Sequence, residues 1–428
     1  MHTRAYREIG VTVETTTLET GLRIVTDSDT SVETTALGIW VGAGTRHETL
    51  EVNGISHLLE HMAFKGTAKR TAYDIAEQMD NVGGQINAYT SRDHTAYYAK
   101  VLKEDQPLAL DILSDILLNS TMDAEEFARE QKVVVQEIFQ AEDTPDDIVF
   151  DRFQATAYPG QAIGWPVLGT VDSVNGLTAE NLRDYMSANY TCGDIVVSAA
   201  GRVDHEVFVK SVAQSFAGLP EGDGPALTTA KYAGGDVRES RSVEQLHFLI
   251  GFDGVGYHDP DYYPLSALSV LFGEGMSSRL FQEVREKRGL AYSVFSSASA
   301  CDDSGLFTVY AGTGPEQTDE LVSVLCDEIK KMSDGVSDEE VSRAKAQLKS
   351  GLLMGLESPG SRCVQRARQI LVYGRPLETD EIIKKIDRID AAAILAAAQR
   401  LFGSTPTIAA LGQIDRLGDY GSIASQLT

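Results

Sequence analysis

The 428 residues suit two domains, and a hydrophobic content of 43% supplies a core for each. A formal net charge of −26 argues against nucleic acid as a partner, because nucleic-acid binding draws on Lys and Arg patches. The same charge either attracts basic substrates or simply keeps the chain soluble. No apolar run reaches membrane-spanning length, and no apolar stretch follows Met1-His2-Thr3-Arg4. The four cysteines (Cys192, Cys301, Cys326, Cys363) form no C-x-x-C pair. The expectation is a cytoplasmic protein with no disulfides and no membrane partner, or an organelle-matrix protein if a transit peptide has been removed.

In chain order, apolar and β-branched runs predict strands over 22–25 and 36–41. His57-Leu58-Leu59-Glu60-His61 follows, and its spacing is helical. His57 and His61 are four apart and Glu60 is three after His57, so all three share a face. H-x-x-E-H is the inverted form of the H-E-x-x-H zinc signature. Two neutral imidazoles there hold one Zn²⁺, with the carboxylate beside the metal as a general base for water. The alternative is a buried helix whose histidines bond carbonyls, since Ile55, Leu58, Leu59, Met62 and Phe64 are all apolar.

Next come a strand over 97–101 and a helix over 107–118, then a helix over 124–141 opened by Asp123 with Glu126 three residues on. Glu130 and Glu137 are seven apart and share a face. Glu137 stands among Val133, Val134, Val135, Ile138 and Phe139, where an unpaired carboxylate is costly. A catalytic zinc takes three protein ligands, which makes this segment the best candidate source of the third. Glu125 and Glu126 read as a solvated stripe. A strand over 195–200 closes the first half, and the Gly- and Pro-rich stretch 218–236 reads as a linker.

The second half echoes the first. Asp123-Ala-Glu-Glu-Phe-Ala-Arg returns as Ser337-Asp-Glu-Glu-Val-Ser-Arg, a shift of 214 residues that pairs Glu125 with Glu339 and Arg129 with Arg343. In that frame Glu130 meets Ala344 and Glu137 meets Gly351, so the proposed site residues are missing from the second copy. The expected fold is α+β, with two similar halves, each an antiparallel-rich sheet with packed helices. The expected domains are 1–217 with the zinc site, the linker 218–236, and 237–428.

His57-Leu-Leu-Glu-His-Met-Ala-Phe-Lys-Gly-Thr resembles the catalytic stretch of the pitrilysin/insulysin family of metallopeptidases. The resemblance is closest to the mitochondrial processing peptidase β-subunit and its bacterial relatives. Asn87-Ala-Tyr-Thr-Ser-Arg matches a second family block, and Arg285-Glu-Lys-Arg-Gly-Leu-Ala-Tyr292 a third. The resemblance implies one Zn²⁺ per chain on His57, His61 and Glu137, with Glu60 as base and Glu130 as a supporting carboxylate. It implies that Arg285 and Tyr292 are catalytic, supplied in trans by the second chain of a clam-shaped homodimer. Asn87 and Ala88 would pair with an extended peptide substrate, and Phe281 would line a side-chain pocket. The implied activity is a zinc endopeptidase acting on unstructured, basic, targeting-type peptides. The alternatives are a scaffold or chaperone-like homologue and the catalytic subunit of a heterodimer.

Overall fold

The computed structural model describes residues 2–8 and 11–427, which form two compact units. Unit 1 holds a seven-stranded sheet of β1 (His2–Glu8), β2 (Val11–Thr17), β3 (Arg23–Ser28), β4 (Thr34–Val41), β5 (Gln85–Thr90), β6 (Thr95–Leu102) and β7 (Ile195–Gly201). Its order is β1-β2-β3-β7-β4-β6-β5. Unit 2 holds β8 (Gly235–Ser240), β9 (Leu246–Asp253), β10 (Ala291–Ala300), β11 (Gly305–Thr313) and β12 (Thr407–Gly412), in the order β8-β12-β9-β11-β10.

The duplication read in the sequence is therefore a duplication of topology. Strands β3, β7, β4, β6, β5 run in the same order as β8, β12, β9, β11, β10. The first pair of each series is parallel and the others are antiparallel. Strand β7 is apolar but for Ser198 and buried on both faces, as a central strand must be. The four expected strands lie within β3, β4, β6 and β7 or one residue short of them, and the two expected helices appear as Gln106–Leu118 and Ala124–Glu142. The β1–β2 pair has no counterpart among the described residues of unit 2, and no expectation matched it.

Alternation along the strands divides the core of unit 1. Leu37, Ile39 and Val41 face the helices Ile55–Ala63, Gln106–Leu118 and Ala124–Glu142, packing on Leu58, Met62, Ile116 and Val134. Ala36, Trp40, Ala96 and Val196 face the opposite way and pack on Cys363, Ala367 and Ile370 of the helix Pro359–Tyr373.

That last helix corrects the expected contiguous halves. Unit 1 comprises Met1–Ile138, Pro166–Thr228 and Leu353–Thr379; unit 2 comprises Phe139–Trp165, Thr229–Leu352 and Asp380–Thr428. The main changeover, between Thr228 and Thr229, falls inside the expected linker. The helix Pro145–Ala157, however, completes unit 2, and Pro359–Tyr373 completes unit 1. The physical reason is complementary burial. Arg366 sits in the Pro359–Tyr373 helix with its guanidinium 2.8 Å from the buried carboxylate of Asp27 on β3, and an apolar stripe lies beside it.

Candidate metal centre

The motif helix, Ile55–Ala63, starts where Gly54 takes a left-handed conformation at φ 92°. A Cβ on Gly54 would meet the Leu168 carbonyl oxygen at 2.7 Å, so only glycine fits this close turn. No residue of the helix caps its first turn; a carboxylate from outside does. The buried Glu48 accepts hydrogen bonds from the backbone N–H groups of Gly54 and Ser56, each at 2.9 Å, and from Asn53 Nδ2 at 2.8 Å. The helix buries Ile55, Leu58, Leu59 and Met62 and leaves His57, Glu60 and His61 half-buried on one side.

The second helix of the site, Ala124–Glu142, is capped by Asp123 Oδ1, which accepts from the N–H groups of Glu125 and Glu126. It buries Phe127, Glu130, Val134 and Ile138. This reverses one sequence argument. Val133 and Phe139 point outward, at 38% and 55% exposure, so the apolar neighbours of Glu137 in sequence are not its surroundings in space. The deeply buried carboxylate is Glu130, and Glu137 is half-buried.

The two helices bring His57, His61 and Glu137 together. Glu137 Oε2 lies 3.8 Å from His57 Nε2 and 3.7 Å from His61 Nε2. One ligand atom from each residue lies within 4.8 Å of the others, the one such cluster among the described residues. Glu137 Oε2 is buried with no hydrogen-bond partner, which is costly for a carboxylate unless a cation takes its place there. Burial, reinforced by the neighbouring His61, lowers the His57 pKa to about 4, so the imidazole is neutral at pH 7 with a lone pair for a metal. These donors fit a divalent metal of the zinc type.

The surroundings orient the donors. His61 Nδ1 is 3.0 Å from Glu130 Oε2, which leaves Nε2 turned to the cluster, and Glu130 Oε1 pairs with Lys65 Nζ at 2.8 Å. Burial raises the Glu130 pKa, but hydrogen bonds from Lys65 and His61 outweigh it and the net shift is downward. Glu60 shifts the other way. Burial raises its pKa, opposed by a 2.6 Å hydrogen bond from Thr90 Oγ1. Thr90 ends β5, the free edge of the sheet. On that strand Ile86 and Ala88 pack toward the motif helix side, and Asn87 Oδ1 accepts from the Ala88 N–H at 2.8 Å.

Arg285, Tyr292 and Phe281 belong to unit 2 and come together with one another. Phe281 and Arg285 lie in a six-residue π-helical stretch, Phe281–Glu286, a distortion that recurs at functional sites. The Arg285 guanidinium stands 4.2 Å from the centroid of the Tyr292 ring and 4.8 Å from that of Phe281. Arg285 Nη1 also donates to the Tyr292 carbonyl oxygen at 2.9 Å. Tyr292 is 76% exposed.

Residues 23–171 match the pattern of the insulinase family, peptidase family M16. An uncharacterized zinc protease of Rickettsia felis is 40% identical over 94% of this chain and 98% of its own length. The chain belongs to peptidase family M16. Residues 176–348 match the M16 inactive domain, in keeping with a second repeat that lacks the ligand set. The uncharacterized zinc protease YmxG of Bacillus subtilis is 39% identical over 90% of this chain and 95% of its own. Two solved structures share the fold: a protease from Helicobacter pylori (TM-score 0.86, 24% identity, 94% of this chain and 99% of that one) and a peptidase M16 inactive domain from Pseudomonas fluorescens (TM-score 0.87, 19% identity, 94% and 98%).

Sequence reasoning on this M16 chain missed three supports of the site. Lys65, four residues after His61, carried a spacing signal, and Thr90 lay inside a block singled out for Asn87 and Ala88. Glu48 carried none, because a carboxylate that caps a helix from a preceding loop follows no period.

Proposed function

We propose that this chain is a zinc-dependent endopeptidase that cleaves extended, unstructured peptides and works as a homodimer in the cytoplasm. The observation that carries the reading is the meeting of His57, His61 and an unpartnered Glu137 oxygen, with Glu60 tied by Thr90 to the end of a free edge strand. His57, His61 and Glu137 would hold Zn²⁺, which when bound supplies Lewis acidity toward water and a peptide carbonyl.

The residues of the chain do the rest. A peptide adds to the β5 edge as a further strand, with the Asn87–Ala88 stretch taking its backbone. Glu60 takes the proton from the attacking water and passes it to the leaving amine. Its raised pKa brings it closer to neutrality, where such transfers are efficient. Glu130, held by Lys65, fixes the His61 ring. Arg285 and Tyr292, contributed by the second chain, stabilise the oxyanion, and Phe281 supports the Arg285 stack. The net charge of −26 draws in basic peptides of the targeting type.

The test is hydrolysis of a quenched fluorescent basic peptide, with and without chelator, on protein of known zinc content. Chelator-sensitive cleavage restored by zinc is expected. Glu60→Gln should keep its zinc and lose about 100- to 10,000-fold in kcat. A zinc-loaded dimer that cleaves no peptide, or full activity in Glu60→Gln, overturns the reading.

A further inference from the structure

The two repeats treat one place in the sheet differently. In unit 2, the space between the Pro145–Ala157 helix and the β10–β11 hairpin is filled by three aromatic rings. Phe150, Phe295 and Tyr310 stack with centroids 5.1 to 6.4 Å apart. Topology gives the equivalents in unit 1. Phe295 is five residues before the hairpin end at Ala300 and pairs across the ladder with Tyr310; Gln85 is five before Thr90 and pairs with Lys100. Phe150 is the fifth residue after Pro145, and Val364 the fifth after Pro359. Three rings in one repeat are thus replaced by Val364, Gln85 and Lys100 in the other.

The replacement leaves a cavity of about 410 Å³ in unit 1, bounded by Val364, Gln85 and Lys100 together with Trp40, Asn87 and Tyr98. Trp40 is fully buried and lies over Gly38, where a Cβ would stand 2.9 Å from the indole Cη2. Gln85 and Asn87 belong to the edge strand β5 and lie on the face opposite to Ile86, Ala88 and Thr90. The cavity therefore opens beside the free edge, on the side away from the motif helix.

We propose that this cavity is a specificity subsite that takes an aromatic side chain of a peptide strand laid along β5. The proposal rests on the endopeptidase reading above. Alternate side chains of an added strand point to opposite faces. One set meets the motif helix and Glu60, and the intervening set meets the cavity. The occupant is named by the protein itself, since its second repeat fills the same place with rings. The exposed Lys100 ammonium at the rim suits a ring face and repels a basic side chain. An aromatic residue is thus read at an odd spacing from the residues that face the motif helix.

The experiment uses full-length, zinc-loaded Glu60→Gln protein and labelled extended peptides in which phenylalanine replaces alanine at each position in turn. Fluorescence anisotropy gives the dissociation constants. One position should bind phenylalanine about tenfold more tightly than alanine, or about 1.4 kcal/mol. That ratio should fall to near one in Val364→Phe and in Gln85→Phe, each of which rebuilds one of the missing rings. Gln85 is exposed, so the second variant keeps the fold even if the first does not, and thermal melts check both. A flat scan, a preference unchanged by both fillings, or no peptide binding overturns the proposal. Turnover of the same peptides by the unmutated protein separates the two readings. Hydrolysis without a phenylalanine preference overturns the subsite alone, whereas a fillable phenylalanine preference without hydrolysis overturns the endopeptidase reading and leaves the subsite.

Discussion

The first and second repeats differ in what they carry on a shared frame, and the difference separates what the fold requires from what the chemistry requires. Both place an arginine at the same position of the helix that completes the other repeat's sheet, Arg152 and Arg366, which are 214 residues apart. Both aim it at an acid five residues into the first strand of the shared series. Arg366 Nε lies 2.8 Å from Asp27 on β3, and Arg152 Nε lies 3.5 Å from Glu239 on β8. This pair is kept in both copies. The residues proposed for the metal site are kept in one. Glu130 is a buried carboxylate where the second repeat has the buried Ala344, and Glu137 stands where it has Gly351. The same helix forms with and without them, so the frame itself does not require them.

The largest effect should come from the shared pair. Asp27 and Arg366 are almost fully buried, and Arg366→Met removes the close partner of the carboxylate and leaves it Arg362 Nη1 at 3.6 Å, so unfolding free energy should fall by about 3 kcal/mol. The Arg152 side chain is 36% exposed, and Arg152→Met should cost about 1 kcal/mol or less. Urea denaturation of both variants decides this, and equal losses would break the comparison. Next is Glu130→Gln, which should weaken metal affinity about 10- to 100-fold by loosening His61. If Glu130 serves only the metal, the metal-free variant should melt no lower than the metal-free parent.

A smaller effect concerns acid. Hydrogen bonds from Arg279, at 2.7 and 2.9 Å, hold the Glu340 pKa down to about 2 against the opposing effect of burial. A folded pKa below the unfolded one stabilises the protein above about pH 4.5, and this is lost as pH falls toward about 2. Glu340→Gln should remove roughly 1 kcal/mol at pH 7, discounted for partial solvent access, and flatten the stability profile between those limits. A wild-type profile in that range would assign the acid loss elsewhere. The smallest effect is a gain. Gly351 lies inside the helix Asp338–Gly355, and a Cβ there meets nothing within 4 Å. Gly351→Ala should therefore add about 0.5 to 1 kcal/mol, seen as a higher urea midpoint.

Much of the site was legible because it lies on helices. The spacing of His57, Glu60 and His61 and the seven-residue step from Glu130 to Glu137 are facts of helical period, and the structure places each set on one face. The repeat was legible too, because a shift of 214 residues realigns side chains whose roles recur. What was not legible depends on contacts between distant segments. The periodicity of Pro359–Tyr373 shows an apolar face but not which sheet it covers. The outward turn of Val133 and Phe139, which leaves Glu130 as the buried carboxylate, is fixed by the rotation of the helix on its sheet. Glu48 reaches the motif helix from a loop, and loops carry no period to read.

The helix that completes unit 1 has a consequence for how the chain is made. Strand β7, the last strand of the first sheet, ends at Gly201, and the helix that covers Trp40, Ala96 and Val196 begins only at Pro359. At about 5 to 20 residues per second, translation of the intervening 160 or so residues takes roughly 8 to 30 seconds. Throughout that interval an apolar sheet face around a tryptophan stands bare on the ribosome. Synthesis of this protein therefore includes a window of exposure to aggregation, set by chain order rather than by final stability, and a general chaperone acting there would raise the yield.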